Sequence, residues 1–311
     1  MIMFCWMTRF RSIGLGAAGL LLLLLLHRGP AEAAEKLFRW NLKPEQTLRV
    51  RIQQLVRTEK TGAGKPTNIS IDMLMEMTWS VNEVSADGTA KITQSLDRFT
   101  VSMNTSQGPP IEYDSEASTS VSGPAQGVAE SVAPLIGAKF LVTMNNRGEF
   151  LAVNLPAGEG GDKPPPASPS LGLAFSLEGI SQILRQSAVV LPAESLDDGS
   201  QWTSTHSLES SLGKLAQHNT YTYAGTVDRG GIPREKIEVS SQLELLALPK
   251  SEASSRSKIV EQTQSGVLWF DAEAGRFVET ELAQSLTLER PYRELRIRIR
   301  ADTTTKMTIT E

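Results

Sequence analysis

The largest group of side chains capable of chemistry lies in residues 266–286, GVLWFDAEAGRFVETELAQSL, where acids surround a glycine. Such a group could be an active site, a metal loop or only a turn. A calcium loop of the EF-hand type requires oxygen ligands at positions 1, 3 and 5, glycine at position 6 and glutamate at position 12. Counted from Asp271, positions 5, 6 and 12 are Gly275, Arg276 and Leu282, so the spacing does not fit a calcium loop.

The same segment alternates between apolar and polar residues on both sides of its glycine, which is typical of a β-hairpin. Acids are rare inside strands and common in turns. The sequence therefore predicts a hairpin in which Trp269 and Val278 are buried. Asp271 and Glu273 are expected in the turn, exposed and replaceable.

Two further motifs resemble known sites but lack required residues. EKTGAGKPT, residues 59–67, has Glu59 where a phosphate-binding loop needs glycine and Pro66 where it needs Ser or Thr, so a hairpin loop is predicted. Ser211 and Lys214 form an S-x-x-K pair, but the S-D-N element of the penicillin-recognising enzymes is absent. Neither motif predicts a catalytic site.

The histidines and paired acids give no stronger signal. His206 and His218 belong to no H-E-x-x-H motif, and no G-x-S-x-G motif accompanies them. Asp197 and Asp198 precede Gly199, as is common in turns. The sequence therefore predicts a protein that is not an enzyme, with no catalytic, cofactor-binding or metal-binding residues and no cofactor; a hydrolase is the least favoured function.

A row of methionines is the best candidate for a binding surface. Met73, Met75, Met77 and Trp79 alternate with mostly polar residues, so they share one face of a strand. Methionine adapts its shape, and a curved sheet lined by it could hold a lipid or another hydrophobic ligand. The row is also compatible with an ordinary core beneath a helix such as 176–190, and this is the favoured interpretation, because a domain without cysteines needs the stability of that burial.

A row of arginines lies on the last strand. In RELRIRIRADT, Arg296, Arg298 and Arg300 point away from the alternating apolar residues. They could face an acidic envelope partner. The favoured interpretation is a solvated outer face that discourages edge-to-edge aggregation.

The first 33 residues have the three parts of an export signal. Arg9 and Arg11 precede the apolar run 13–26, and small residues lead to a predicted cleavage between Ala33 and Ala34. An apolar run of this length rises only about 21 Å as a helix, short of the roughly 30 Å hydrocarbon core of a bilayer. We expect export to the periplasm or beyond, with an uncleaved anchor less favoured and a mature part that does not span the membrane.

Composition limits the partners. The chain of 311 residues has a formal charge of −4, which disfavours nucleic acid as a partner. Its single cysteine, Cys5, precedes the apolar run, so the exported part would have to fold without disulfides.

The elements that position these residues are mostly strands. Residues 68–84 alternate strictly, Asp87 and Gly88 indicate a hairpin, and the following strand changes phase, which predicts a bulge near Asp97 or Arg98. Five long alternating segments in the second half predict an antiparallel meander. The expected fold is mainly β (α+β), with long, curved antiparallel sheets or partial barrels and one or two covering helices.

The predicted organisation has two halves. Residues 34–154 form a β-rich half, residues 155–170 a Pro- and Gly-rich linker, and residues 171–311 a helix followed by the meander. Helices are predicted around 124–137 and 176–190. Shared QSL segments leave open whether the halves are a duplication.

Five segments resemble an uncharacterised family of exported bacterial proteins. They are LFRWNLKPEQTLRV, the hairpin at 79–88, IGAKFLVTMNNRGEF, LPAESLDDGSQW and GVLWFDAEAGRF. The resemblance implies no catalytic residues. The architecture is more loosely similar to the periplasmic lipoprotein-carrier half-barrels. The favoured function is a non-catalytic envelope protein that binds a hydrophobic ligand, and the alternative is a protein-interaction scaffold.

Overall fold

The computed structural model describes residues 35–62, 64–117, 122–154, 189–210, 213–247, 258–292 and 294–311. The predicted signal with its cleavage between Ala33 and Ala34, the predicted linker, most of the predicted helix 176–190 and the serine of the S-x-x-K motif lie outside these residues.

Twelve strands form one antiparallel sheet in the described part of the chain. The strands are β1 Thr47–Thr61, β2 Thr67–Val84, β3 Ala90–Thr105, β4 Ile111–Asp114, β5 Lys139–Met144, β6 Phe150–Asn154, β7 Gln201–Ser210, β8 Gly213–Asp228, β9 Pro233–Ala247, β10 Lys258–Asp271, β11 Arg276–Tyr292 and β12 Leu295–Thr310. One short α-helix, α1, spans Pro124–Val132 and continues into a 3₁₀ turn, Ala133–Leu135. The predicted mainly β fold is confirmed.

The sheet order is β6-β5-β3-β2-β1-β12-β11-β10-β9-β8-β7, with β4 beside β3. The five strands β8 to β12 are sequential neighbours, so the predicted meander is confirmed. Strands β1 and β12 pair antiparallel and join the strands before and after the predicted linker into a single sheet. The described residues between 35 and 311 belong to one compact unit.

The β2–β3 hairpin follows from its sequence. Gly88 has φ 81°, a left-handed conformation that glycine tolerates in a tight turn. Glu76 pairs with Arg98 and Met77 with Leu96, so Asp97 is the extra residue of a bulge. The two apolar phases of β3 thereby reach the same face, and the predicted bulge is confirmed.

The sheet curves, so that residues 190–191 hydrogen-bond to both of its edges. The amide of Leu191 donates to the carbonyl of Arg147 beside β6 at 2.8 Å. The indole of Trp202 on β7 donates to the carbonyl of Val190 at 3.0 Å. Among the described strands, the edge strands β6 and β7 do not pair with each other, so this sheet is open. Its concave face carries the core, because side chains from both ends of the sheet belong to one buried cluster.

One end of the concave face is filled by residues 36–42, which we call the N-terminal strap. Its backbone hydrogen-bonds to three turns: Lys36 to Leu196, Trp40 to Asn146 and Asn41 to Gly275, at 2.7–2.9 Å. Phe38, Trp40 and Leu42 alternate inward and are buried. The strap therefore adds an aromatic layer beneath the sheet.

Ring contacts fix this layer. Phe38 packs against Tyr223 and Phe270, with ring centroids 5.1 and 5.3 Å apart. Trp40 packs against Phe277 at 5.9 Å and against Trp79 at 6.4 Å. Such pairs contribute about 0.5–1.5 kcal/mol each beyond the area they bury.

Candidate functional site

A cavity of about 90 Å³ lies on the concave face next to the layer formed by the strap. Seven strands and the segment before β7 contribute to its lining. Aligned rows of cross-strand partners build its floor: Val239 pairs with Gly266, Gly266 with Leu282, and Leu282 with Thr305. We call this space the central cavity.

One wall of the central cavity is apolar. It consists of Ile52, Met73, Met75, Val189, Val239, Leu268, Leu282 and Met307. Leu282, Met307 and the neighbouring Ile71 are only half-buried. The apolar surface therefore continues from the enclosed space toward solvent.

The methionine row is divided between two environments. All four side chains are buried, with Met73, Met75, Met77 and Trp79 exposed by 7, 4, 3 and 6%. Met73 and Met75 line the central cavity. Met77 and Trp79 belong to the filled core, where Trp79 faces the strap residue Trp40.

The other wall is polar but carries no charge. Its members are Gln54, Gln217, Asn219, Tyr221, Ser241, Gln264, Thr280 and Thr305. Asn219 organises part of it: its carbonyl oxygen accepts from Ser241 at 2.6 Å and from Gln217 at 3.0 Å. Gln54 donates to Thr305 at 3.2 Å. Burial raises the pKa of Tyr221, so its phenol stays neutral near pH 7.

Thr280 differs from the other polar residues of this wall. Its side chain is buried, with 6% exposure, and its hydroxyl has no hydrogen-bond partner among the described residues. Its cross-strand neighbours are Leu268 and Met307, which offer no polar side chain. A buried hydroxyl without a partner costs about 1–3 kcal/mol.

The sheet divides beside the central cavity. Strands β9 and β10 pair only from Ser240 and Ser265 toward Glu235 and Phe270. Beyond this point the side chain of Gln262 joins the two strands, accepting from the amide of Leu243 at 2.7 Å and donating to its carbonyl at 2.9 Å. An amide side chain thus replaces the backbone groups of a missing strand pair.

A buried carboxylate ties the strap to the sheet. Glu235, 5% exposed, accepts hydrogen bonds from Lys36, Tyr223 and Thr226. Partial burial would lower the pKa of Lys36, but its bonds to Glu235 and Tyr223 outweigh this effect and raise it. Lys36 therefore stays protonated and serves as a counter-ion, not as a nucleophile.

The hairpin at 266–286 forms, but its buried face is not the predicted one. Leu268, Phe270 and Phe277 are buried on the concave face, whereas Trp269 and Val278 are half-buried on the other. A bulge at Val278 shifts the register, since Phe270 pairs with Phe277 and Trp269 with Glu279. The prediction for Trp269 and Val278 is wrong because both faces of this hairpin are apolar.

The acids of this turn behave differently from each other. Glu273 is exposed, as predicted. Asp271 is largely buried, pairs with Arg234 and accepts from the amide of Ala274 at 2.9 Å, so the prediction of an exposed, replaceable acid is wrong. Burial alone would raise the pKa of Asp271, but these partners outweigh it and lower the pKa.

Gly275 explains why this turn matters to the fold. It has φ 61°, and a Cβ there would lie 2.4 Å from Cβ of Asn41 in the strap. Gly148, in the β5–β6 turn, is similar: a Cβ there would lie 2.6 Å from the indole nitrogen of Trp40. Two glycine turns therefore make room for the strap.

The remaining candidate residues do not converge on one site. The half-buried His206 contacts Ser204 at 3.1 Å, and burial lowers the pKa of its imidazole. His218 is exposed and contacts Thr205 and Glu244. The acids at 197–198 lie in a turn, and residues 59–67 include the loop between β1 and β2; both predictions are confirmed.

The arginine row does not support an acidic partner. Arg298 lies 2.9 Å from Glu261 and Arg300 lies 3.0 Å from Asp302. Arg296 lies 3.8 Å from Glu289. The charges of this outer face are matched within the chain, so the expectation of an acidic envelope partner is not supported.

Within the described ranges, no helix is long and apolar enough to cross a bilayer. The same residues contain no group of three or more His, Cys, Asp or Glu side chains placed to hold a metal ion.

Comparisons with known proteins give distant structural likenesses. No protein-family model matches the chain, and no curated protein matches it. Solved structures that overlap with it include one of lipid–protein interactions in lipovitellin, at 7% identity and a TM-score of 0.49. That match covers 87% of this chain but 26% of the lipovitellin chain.

Two other solved structures cover most of both chains. DynF from the dynemicin biosynthesis pathway of Micromonospora chersina matches at 8% identity and a TM-score of 0.18, covering 88% of this chain and 90% of DynF. A DUF1329 family protein from Desulfovibrio piger matches at 12% identity and a TM-score of 0.11, covering 84% of each chain. All three TM-scores are below 0.5, so these matches assign neither a family nor a ligand.

Proposed function

We propose that this protein binds a hydrophobic ligand in the central cavity and does not catalyse a reaction. The observation that carries the proposal is the cavity itself: an apolar wall and a polar wall, both built on rigid strands, beside a core that the strap has filled. Ligand sites typically combine mostly apolar surface with a few fixed polar groups.

The size of the cavity indicates how a ligand would fit. An engineered cavity of about 150 Å³ holds one benzene molecule, so 90 Å³ admits only the end of a larger ligand. The remainder would lie against the half-buried apolar residues Ile71, Leu282 and Met307. An elongated chain suits this shape better than a bulky ring system.

The polar groups nearby support binding more than catalysis. Glu235 and Lys36 neutralise each other. Among the described residues, the His206 side chain hydrogen-bonds only to Ser204 and has no carboxylate to orient it, as a catalytic serine–histidine pair would need. Export of the protein is part of the proposal and rests on the signal-like residues 1–33.

Filling the cavity tests the proposed function. Val239→Phe places a larger side chain in the floor, while Val267→Phe makes the same change on the opposite face of β10. We expect Val239→Phe to reduce binding of a fluorescent acyl-chain probe at least tenfold and Val267→Phe to leave it unchanged. Equal binding by wild type and both variants would contradict the proposal, provided that circular dichroism shows all three folded.

A further inference from the structure

The central cavity offers no partner for a charged ligand. None of the described residues that line it is charged. On the same face, Glu235 is neutralised by Lys36. Burial lowers the pKa of His206, the cross-strand partner of the cavity residue Gln217, and so favours its uncharged form. Lys60 and Arg290 lie at least six positions along their strands from the nearest cavity residue, which corresponds to about 20 Å. A carboxylate or phosphate bound here would lose its hydration without gaining a counter-ion.

The cavity does offer hydrogen bonds to a neutral group. Amides and hydroxyls can each donate and accept, so the polar wall is suited to an alcohol, an ester or an amide. Thr280 adds a specific position, because the residue lines the cavity and its buried hydroxyl has no partner among the described residues. Of the other polar residues in this wall, Asn219, Ser241 and Thr305 are already hydrogen-bonded within the chain.

We propose that the ligand is an uncharged amphiphile, a hydrocarbon chain bearing a neutral hydroxyl, ester or amide group that hydrogen-bonds to the hydroxyl of Thr280. This inference rests on the proposed function and narrows its ligand class. With its polar end in the cavity, the ligand is not an ionised fatty acid or a phosphorylated lipid, because burying that charge in an uncharged cavity is costly.

The test compares probes of one chain length on the full chain. An alcohol that carries pyrene at the end remote from its hydroxyl, so that the ring system lies outside the cavity, is bound first. It is then displaced by monolauroylglycerol, laurate or dodecyl phosphate at pH 7.5, each below its micellar concentration. Monolauroylglycerol is expected to displace the probe at least tenfold more effectively than either anion. Equal or better displacement by laurate or dodecyl phosphate would overturn the inference while leaving the proposed function intact. Failure of the pyrene-labelled alcohol to bind at all would overturn both.

Thr280→Val provides the second arm, since it keeps the shape of the side chain and removes the hydroxyl. We expect its affinity for monolauroylglycerol to fall about three- to tenfold, as loss of one neutral hydrogen bond implies. The ligand-free variant should be at least as stable as wild type, because a buried polar group without a partner has been removed. The control is Thr287→Val, a buried threonine outside the cavity lining, which should leave affinity unchanged. An unchanged affinity in Thr280→Val would refute the contact.

Discussion

The two ends of the concave face are built from the same strands but hold different contents. On β11, Phe277 packs into the filled end and Thr280 lines the cavity. On β10, Phe270 likewise packs into the filled end and Gln264 lines the cavity. Aromatic side chains meet the strap at one end, and smaller or polar side chains leave space at the other.

This difference shows how one sheet can be stable and still keep a cavity. Large buried side chains contribute about 1.5–3 kcal/mol each, so the filled end supplies stability. The cavity end carries a partnerless hydroxyl and unfilled volume, both of which cost stability. Burial at the filled end therefore compensates for the destabilising cavity. Substitutions at the two ends should have separable effects on stability and on ligand binding.

The largest expected effect is at the filled end. Phe38→Ala removes a buried ring that contacts Tyr223 and Phe270, and should lower the free energy of unfolding by about 3–5 kcal/mol. Leu37→Ala, at the neighbouring position with 57% exposure, should change it by less than about 0.5 kcal/mol. Urea unfolding measures both. A similar small loss in both variants would show that the strap does not hold the sheet.

A smaller effect is expected at Asp271. Asp271→Asn should lower stability by about 1.5–3 kcal/mol at pH 7, because it weakens the bonds to Arg234 and Ala274. Since the pKa of Asp271 is lowered in the folded state, its contribution is present above the unfolded value and disappears as the pH falls below about 4. Urea unfolding of both proteins from pH 7 to pH 3 should show the gap closing.

The control for Asp271 is Glu273→Gln in the same turn, which should cost less than about 0.5 kcal/mol. A gap between wild type and Asp271→Asn that widened on acidification would contradict the assigned ion pair.

The smallest expected effect is at the division between β9 and β10. Gln262→Ala removes the side chain that bonds the amide of Leu243, at a cost of about 1 kcal/mol or less. Hydrogen exchange at the Leu243 amide should accelerate, because that amide loses its acceptor. Thr263→Ala, one position along, should leave this exchange unchanged. Protection of Leu243 in both variants would mean that the strands stay joined without Gln262.

Much of the sheet follows from local pattern. Strand β2 alternates over nearly its whole length, and the phase change in β3 was sufficient to predict the bulge at Asp97. Alternation also carried a signal for the polar wall that was missed: Gln217, Asn219 and Tyr221 share one phase of β8, and polar residues in an inward phase indicate a cavity.

Other features depend on distant parts of the chain. Burial of Phe270 instead of Trp269 is decided by the strap, which arrives from more than 200 positions away. The bulge at Val278 brings Thr280 onto the concave face, and nothing near it in the sequence marks that shift. Alternation predicts which residues share a face but not which face becomes buried when both are apolar.

The pairing of β1 with β12 has a consequence for the order in which the protein can fold. Gln54 and Thr305, 251 positions apart, meet at the centre of the sheet. During synthesis, β1 leaves the ribosome long before β12. In the same way, Lys36 of the strap leaves it long before Glu235, to which it hydrogen-bonds. Contacts so distant in sequence slow folding, because the loop must close before the contact stabilises it. The middle of this sheet can therefore be completed only after β12 has been made.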